Sequence, residues 1–224
     1  MFPRRLFRDR SEAGRELAHR LLRYRAAAPI VLALPRGGVP VAFEVARELG
    51  APLDVCVVRK IGAPFQPELG IGAVAEDGAV YVDRETVDLI GMDEEEVARL
   101  AVQKRAEVDE RVRRFRRGAP PPDVRGRVVI LVDDGIATGG TARAALQTLR
   151  MRGAGRIVLA VPVGATDSLD DLALIADEVV CLAPQPSLIA VGIWYDDFRP
   201  TTDDDVVELL DRARSDAGTD AMRP

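Results

Sequence analysis

The chain has 224 residues with 31 basic and 36 acidic side chains, a formal net charge of −5, and a single histidine. One histidine excludes a His-rich zinc site, an H-E-x-x-H protease and any two-histidine relay. Cys56 and Cys181 stand far apart in apolar runs, so they read as buried thiols, not as a disulfide framework or zinc cluster. Chemistry in this chain must therefore come from carboxylates, arginines, hydroxyls and backbone amides, with or without a metal. The length and a 47% apolar content suit one globular domain, expected over 1–215, with a disordered tail over 216–224.

The opening Met-Phe-Pro-Arg-Arg leads into no long apolar stretch, so neither a secretory signal nor a membrane span is expected, and the cytoplasm is the default compartment. Slight acidity argues against general nucleic-acid binding. The charge is nevertheless uneven, with eight arginines in residues 1–25 and nine acids in 196–220. Two solvated helix faces account for this more simply than a basic arm gripping an anionic polymer.

A first helix is predicted from Asp9 to about Arg25. Asp9 and Glu12 form a capping-box pattern, and Ala13, Leu17, Leu21 and Tyr24 form one apolar stripe, which leaves His19 facing solvent. Ile30–Leu34 reads as a short buried strand, broken by Pro35-Arg36-Gly37-Gly38. A helix follows, with Pro40 near its start and Gly50 as its stop. Leu53–Val58 reads as a second strand ending in Arg59-Lys60. Ile61–Gly72, with three glycines and two prolines, reads as a mobile loop, and Ala73–Glu76 with Ala79–Asp83 as a hairpin around Asp77-Gly78.

Residues 93–117 are predicted to form a long charged helix. Asp93 and three glutamates open it and five arginines close it, as the helix dipole favours, and Lys104 lies within its apolar stripe as a snorkelling side chain. A stiff Pro-rich connector ends at Pro122. Strands at Val128–Val132, Ile157–Val161 and Glu178–Leu182 then alternate with helices at about 140–153 and Ser168–Ala176. Ile189–Ile193 is a further candidate strand, and Thr202 caps a last helix from Asp203 to Arg214. Apolar strands alternating with amphipathic helices predict an α/β fold, a mainly parallel sheet with helices on both faces.

Ligands of such sheets bind beyond the carboxyl ends of the strands. Asp133 and Asp134 stand there, directly after Val132. Two adjacent carboxylates repel each other and need water, a metal or hydroxyl donors. Thr138-Gly139-Gly140-Thr141 then opens a helix, where close-wrapping backbone, amides and the helix dipole make a phosphate cradle. A Walker loop would require a lysine that this loop lacks, and the Asp-x-Asp-Gly-Thr nucleophile spacing of haloacid dehalogenases does not fit two adjacent aspartates.

The segment 128–141, Val-Val-Ile-Leu-Val-Asp-Asp-Gly-Ile-Ala-Thr-Gly-Gly-Thr, resembles the phosphoribosyl-pyrophosphate (PRPP) signature of type I phosphoribosyltransferases. Leu34-Pro35-Arg36-Gly37-Gly38 resembles that family's pyrophosphate loop, and Val58-Arg59-Lys60 the start of its flexible catalytic loop. The resemblance covers about residues 30–195, with 84–120 as a helical insertion. It implies transfer of 5-phosphoribosyl from PRPP to a nitrogenous base, purine-like by preference, with Mg²⁺ as cofactor and a homodimer as the usual assembly. Under it, Asp133 and Asp134 hold the ribose hydroxyls directly or through Mg²⁺. The amides of Ala137, Thr138, Gly139, Gly140 and Thr141 hold the 5-phosphate. Arg36 with the Gly37 and Gly38 amides meets pyrophosphate at a loop that often carries a non-proline cis peptide, and Lys60 closes over it with Arg59. Glu76 is a counterpart of an adenine-type glutamate. Trp194 or Tyr195 would stack on a base, and Asp196 would touch the metal. Ala137 matches adenine-type members and 191–196 matches hypoxanthine-type members, so the base stays open. A non-catalytic or regulatory PRPP-binding protein on the same fold is the alternative.

Overall fold

A computed structural model describes residues 5–76 and 78–220. Five strands form its central sheet: β1 (Ile30–Ala33), β2 (Leu53–Val55), β6 (Val128–Val132), β7 (Arg156–Ala165) and β8 (Glu178–Gln185). Their order is β2-β1-β6-β7-β8, and every pairing is parallel. The strands are apolar on both faces because helices cover both. On one side lie α1 (Arg10–Leu21), α2 (Gly38–Leu49) and α7 (Asp203–Asp220), and on the other α5 (Gly140–Met151) and α6 (Thr166–Ala173). Val129, Ile130, Leu131 and Val132 of the central strand β6 are fully buried. Each such side chain contributes roughly 1.5–3 kcal/mol through burial.

The helix boundaries follow the predicted signals. The Asp9 carboxylate accepts the Glu12 N–H at 2.8 Å at the start of α1, while Glu12 reaches back to the Arg8 N–H. A 3₁₀ turn over Leu22–Ala27 replaces the last turn of the predicted helix, and His19 is exposed as expected. Gly50 stops α2 with φ of 63°, where a side chain would be strained. Asp205 N–H donates to Thr202 Oγ1 at 3.1 Å, and α7 continues past Arg214 to Asp220.

The stretch expected to be one strand and then a mobile loop is different. The chain leaves the parallel sheet at Cys56-Val57 and enters a second, antiparallel sheet of β3 (Val58–Ala63), β4 (Gln66–Ala75) and β5 (Val80–Val82). The glycines that suggested a loop sit instead inside strands. The β3–β4 register shifts on either side of Gly62, a bulge that glycine accommodates, and a Cβ on Gly72 would lie 2.4 Å from Tyr81 O. The expected β4–β5 hairpin is present, although Asp77 in its turn lies outside the described residues. The insertion holds α4 (Glu94–Arg116), capped by Asp93 as predicted, and also a short α3 (Arg84–Ile90) capped by Asp83. Residues 191–194 form a 3₁₀ turn, not a strand, and Trp194 and Tyr195 at its end are buried in a cluster with Phe7, Ala13 and Val163.

Candidate functional site

The end of β6 is the focus. Asp134 N–H donates to Asp133 Oδ1 at 2.8 Å, so the two carboxylates are held on one tight turn. Burial, and then repulsion from Asp134, drives the Asp133 carboxyl well above the usual aspartate range. Asp134 is raised by burial too, but Arg10 opposes the shift. Arg10 Nε lies 2.8 Å from Asp134 Oδ2, with the two side chains only 11% and 14% exposed. The Arg10 guanidinium also lies 3.8 Å over the Phe198 ring and donates to Arg199 O. Sequence reasoning missed this arginine. Its only signal was a position in an arginine-rich N-terminus, which read as a solvated face.

Beyond the pair, Ile136 docks onto the extension of β7 through Ile136 N–H to Val163 O and Ala165 N–H to Ile136 O, both 2.9 Å. Ser168 Oγ donates to Ala137 O at 2.6 Å and fixes the next residue. Gly139 then takes φ of 72° and caps α5, and the first amides of α5 have no intrahelical acceptor. Thr138 and Thr141 stand beside them, both exposed. Ala137–Thr141, the segment expected to cradle an anion, thus leads from the acidic turn into the open amides that begin α5.

The 35–38 segment closes the other side. Its Pro35–Arg36 peptide is cis, as the resemblance implied. Gly37 is pressed onto the acidic pair so closely that a Cβ there would lie 2.0 Å from Asp134 Oδ2, and one on Gly38 would lie 2.7 Å from Val132 O. Arg36 lies 3.5 Å from Asp203. The Gly38 amide, expected to meet an anion, instead donates to Leu34 O at 3.1 Å and begins α2.

Arg59 and Lys60 point apart. They are consecutive on β3, and consecutive strand residues point to opposite faces. Lys60 crosses to α5, where its Cδ would lie 3.2 Å from a Cβ placed on Gly140. With Gly72, Thr138, Gly140 and Arg143 it lines a cavity of about 280 Å³ at the cradle. Arg59 turns to α4 and lies 3.3 Å from Glu107, which Lys104 also holds at 2.7 Å.

Four expected site residues are placed elsewhere. Glu76 is 2% exposed, with Arg116 and Arg152 each 2.9 Å from its carboxylate. Tyr195 cannot stack on a base, because its ring lies between Phe7 and Phe198 at 5.5 and 5.0 Å. Its hydroxyl donates to Asp134 O at 2.6 Å, so it positions the acidic turn from below. Trp194 is buried in the same cluster. Asp196 faces Arg5 at 3.3 Å, with both side chains open to solvent. Cys56 is buried and burial raises its thiol, and Cys181 is pushed up to about 11, so neither is a nucleophile at neutral pH.

Among the described residues, no three His, Cys, Asp or Glu side chains gather as a metal cage. Mg²⁺ often keeps most of its shell as water and substrate oxygens and takes only one or two carboxylates from protein. Asp133 and Asp134, one of them paired with Arg10, are two carboxylates of the kind and number such an ion takes from protein.

Among known proteins, the phosphoribosyl transferase domain family matches residues 8–187. Rv0571c of Mycobacterium tuberculosis H37Rv, whose assignment as a phosphoribosyl transferase is provisional, is 50% identical over 212 residues. The match takes in 95% of this chain but 48% of that protein, so the chain spans about half the length of the curated relatives it matches. The crystal structure of TT1426 from Thermus thermophilus is 44% identical, with a TM-score of 0.85 over 92% of this chain and 97% of that one.

Proposed function

Because this chain belongs to the phosphoribosyltransferase family, we propose that it transfers the 5-phosphoribosyl group of PRPP to a nitrogenous base and releases pyrophosphate. The observation that carries the reading is the acidic turn set between the amide cradle of α5 and the Arg36 loop. This order, amides, carboxylates and then arginine, supports a reading as seats for a phosphate, a ribose diol and a diphosphate. Mg²⁺, when bound with PRPP, would neutralise charge on the departing diphosphate, and Asp133 and Asp134 are the side chains to hold it.

The chain's own residues supply the rest. Ala137–Thr141 amides fix the 5-phosphate and thereby the ribose. The carboxylates accept from the ribose 2- and 3-hydroxyls, which places negative charge under a ring that becomes oxocarbenium-like as the bond to diphosphate breaks. Tyr195 and Arg10 hold Asp134 at its backbone and side chain respectively. Lys60, from the small sheet, covers the cradle and helps to exclude water. No protein nucleophile is required, in keeping with a single exposed histidine.

Incubating the full chain with PRPP, Mg²⁺ and a panel of bases, purines first, should release pyrophosphate with at least one of them. PRPP binding without turnover on any base would assign the chain the non-catalytic role, and absence of both would overturn the reading. Gly37→Ala puts a methyl into Asp134, and the displaced loop should lower kcat/KM for PRPP about 100-fold. Steady-state kinetics at varied PRPP would check this.

A further inference from the structure

The inserted helix α4 turns one polar face toward the site. Lys104, Glu107, Arg111 and Arg114 are spaced by three, four and three residues, so they stand in one row along the helix. Two members of that row are tied to residues of the site's rim. Glu107 meets Arg59 of β3 at 3.3 Å. Arg114 meets Asp203 at 2.9 Å, and Asp203 in turn lies 3.5 Å from Arg36. Arg111 lies between these two anchors, and it forms no ion pair within 4 Å among the described residues. Three guanidinium groups, from the loop after β1, from β3 and from α4, are therefore strung along this face of α4, with Arg111 between the Arg59 and Arg36 anchors and within reach of the charge of both.

This arrangement is costly without a ligand. Burial, and next the positive charge of Arg59, draws the Arg111 guanidinium below its ordinary value, with Arg36 adding to the effect. Arg59 Nε is buried and completes no hydrogen bond. Lys104, Arg36, Arg59, Arg111 and Arg114 outnumber the carboxylates they face, Glu107, Asp203 and Asp204. A compact polyanion would satisfy the donors and offset the repulsion.

We propose that Arg111, delivered by the inserted helix, completes with Arg36 and Arg59 a three-arginine seat for the diphosphate of PRPP, at the opposite end of the site from the amide cradle. The proposal rests on the phosphoribosyl-transfer reading for its ligand, and on the α4 row for its geometry. It gives the 84–120 insertion a task that the signature segments leave open. The two faces of β3 then serve the two ends of one substrate, Lys60 at the 5-phosphate and Arg59 at the diphosphate.

Calorimetric titration of the full chain with inorganic pyrophosphate tests the seat apart from catalysis. Arg111→Gln should weaken pyrophosphate binding about tenfold, the loss of one charge-assisted contact. It should raise KM for PRPP more than it lowers kcat. Arg111→Lys should recover part of the affinity, and Arg113→Gln, at an exposed neighbouring position, should bind as the native chain does. Native-like affinity in Arg111→Gln overturns the seat, as does failure of the native chain to bind pyrophosphate. Equal loss in the Gln and Lys variants, with a lowered melting temperature in both, assigns Arg111 to packing and also overturns it. Tenfold weakening in Arg111→Gln, in a chain that transfers ribose to no base, supports the seat and overturns the transfer reading alone.

Discussion

Asp133→Asn combined with Asp134→Asn should abolish phosphoribosyl transfer, by about 1,000-fold or more, while leaving the fold intact. The carboxylates act through charge placed beneath a developing cation, and an amide of the same shape supplies no net charge. The fold should tolerate the change because the pair is electrostatically unfavourable in the free protein. Burial raises both carboxyls, and Asp133 is raised further by its neighbour. A carboxyl with a raised value in the folded state contributes stability below its ordinary value, near 3.8, and loses that contribution as pH rises through the folded value. The native chain therefore loses stability over that rise and the double variant does not. The variant's advantage in thermal unfolding should grow from about pH 4 toward neutrality. Loss of the charge partner of Arg10 works the other way, but asparagine Oδ1 can still accept from its Nε. A double variant that unfolds at neutral pH, or that keeps its activity, would remove the assigned role.

The acidic turn and the cradle were legible because their signals are local. Strand, Asp-Asp, glycine pair and helix start lie within the consecutive residues 128–141, and the backbone that makes the site is the same backbone that carries the motif. The alternation of apolar strands and amphipathic helices gave the parallel sheet for the same reason. What escaped the sequence depends on contacts between distant segments. Arg10 reaches Asp134 across 124 positions, and Arg116 reaches Asp54 across 62. Nothing in an arginine-rich helix says which arginine turns inward. Glycines misled in 61–72, where they permit close strand packing and a bulge instead of a loop. Arg59 and Lys60, expected to close together over one ligand, point to opposite faces because β3 runs on through them, where the resemblance implies the start of a flexible loop. Trp194 and Tyr195, expected to stack on a base, lie in a closed cluster with Phe7 and Phe198, from which the Tyr195 hydroxyl supports the acidic turn.

Glu76 gives the second large expected effect, on stability and not on chemistry. Its Oε1 meets Arg152, and its Oε2 meets Arg116 and lies 3.3 Å from the Val57 N–H. Arg116, only 1% exposed, also grips Asp54 with Nε and donates to Val55 O at 2.7 Å. Arg152 donates to Pro122 O at 2.7 Å. One buried carboxylate thus joins the corner where the chain passes from the large sheet to the small one, the end of α4, the proline connector and the end of α5. Burial opposes the charge on Arg116, but Glu76 and Asp54 outweigh it, whereas at Glu76 burial outweighs the two arginines and the Val57 N–H and raises the carboxyl. Glu76→Gln leaves the arginines charged and removes the carboxylate between them, the situation in which a broken buried pair costs about 3 kcal/mol. For a chain of this size that corresponds to a fall in melting temperature of about 6–12 °C. Urea unfolding should give the same loss in free energy with an unchanged slope. Below the transition, the folded fraction should retain kcat within about threefold of the native chain, because Asp133, Asp134 and the cradle do not depend on the charge of Glu76. A variant that keeps native stability and loses turnover would return Glu76 to the reaction. The opposite pattern marks it as the residue that fixes the small sheet, and with it Arg59 and Lys60, to the rest of the molecule.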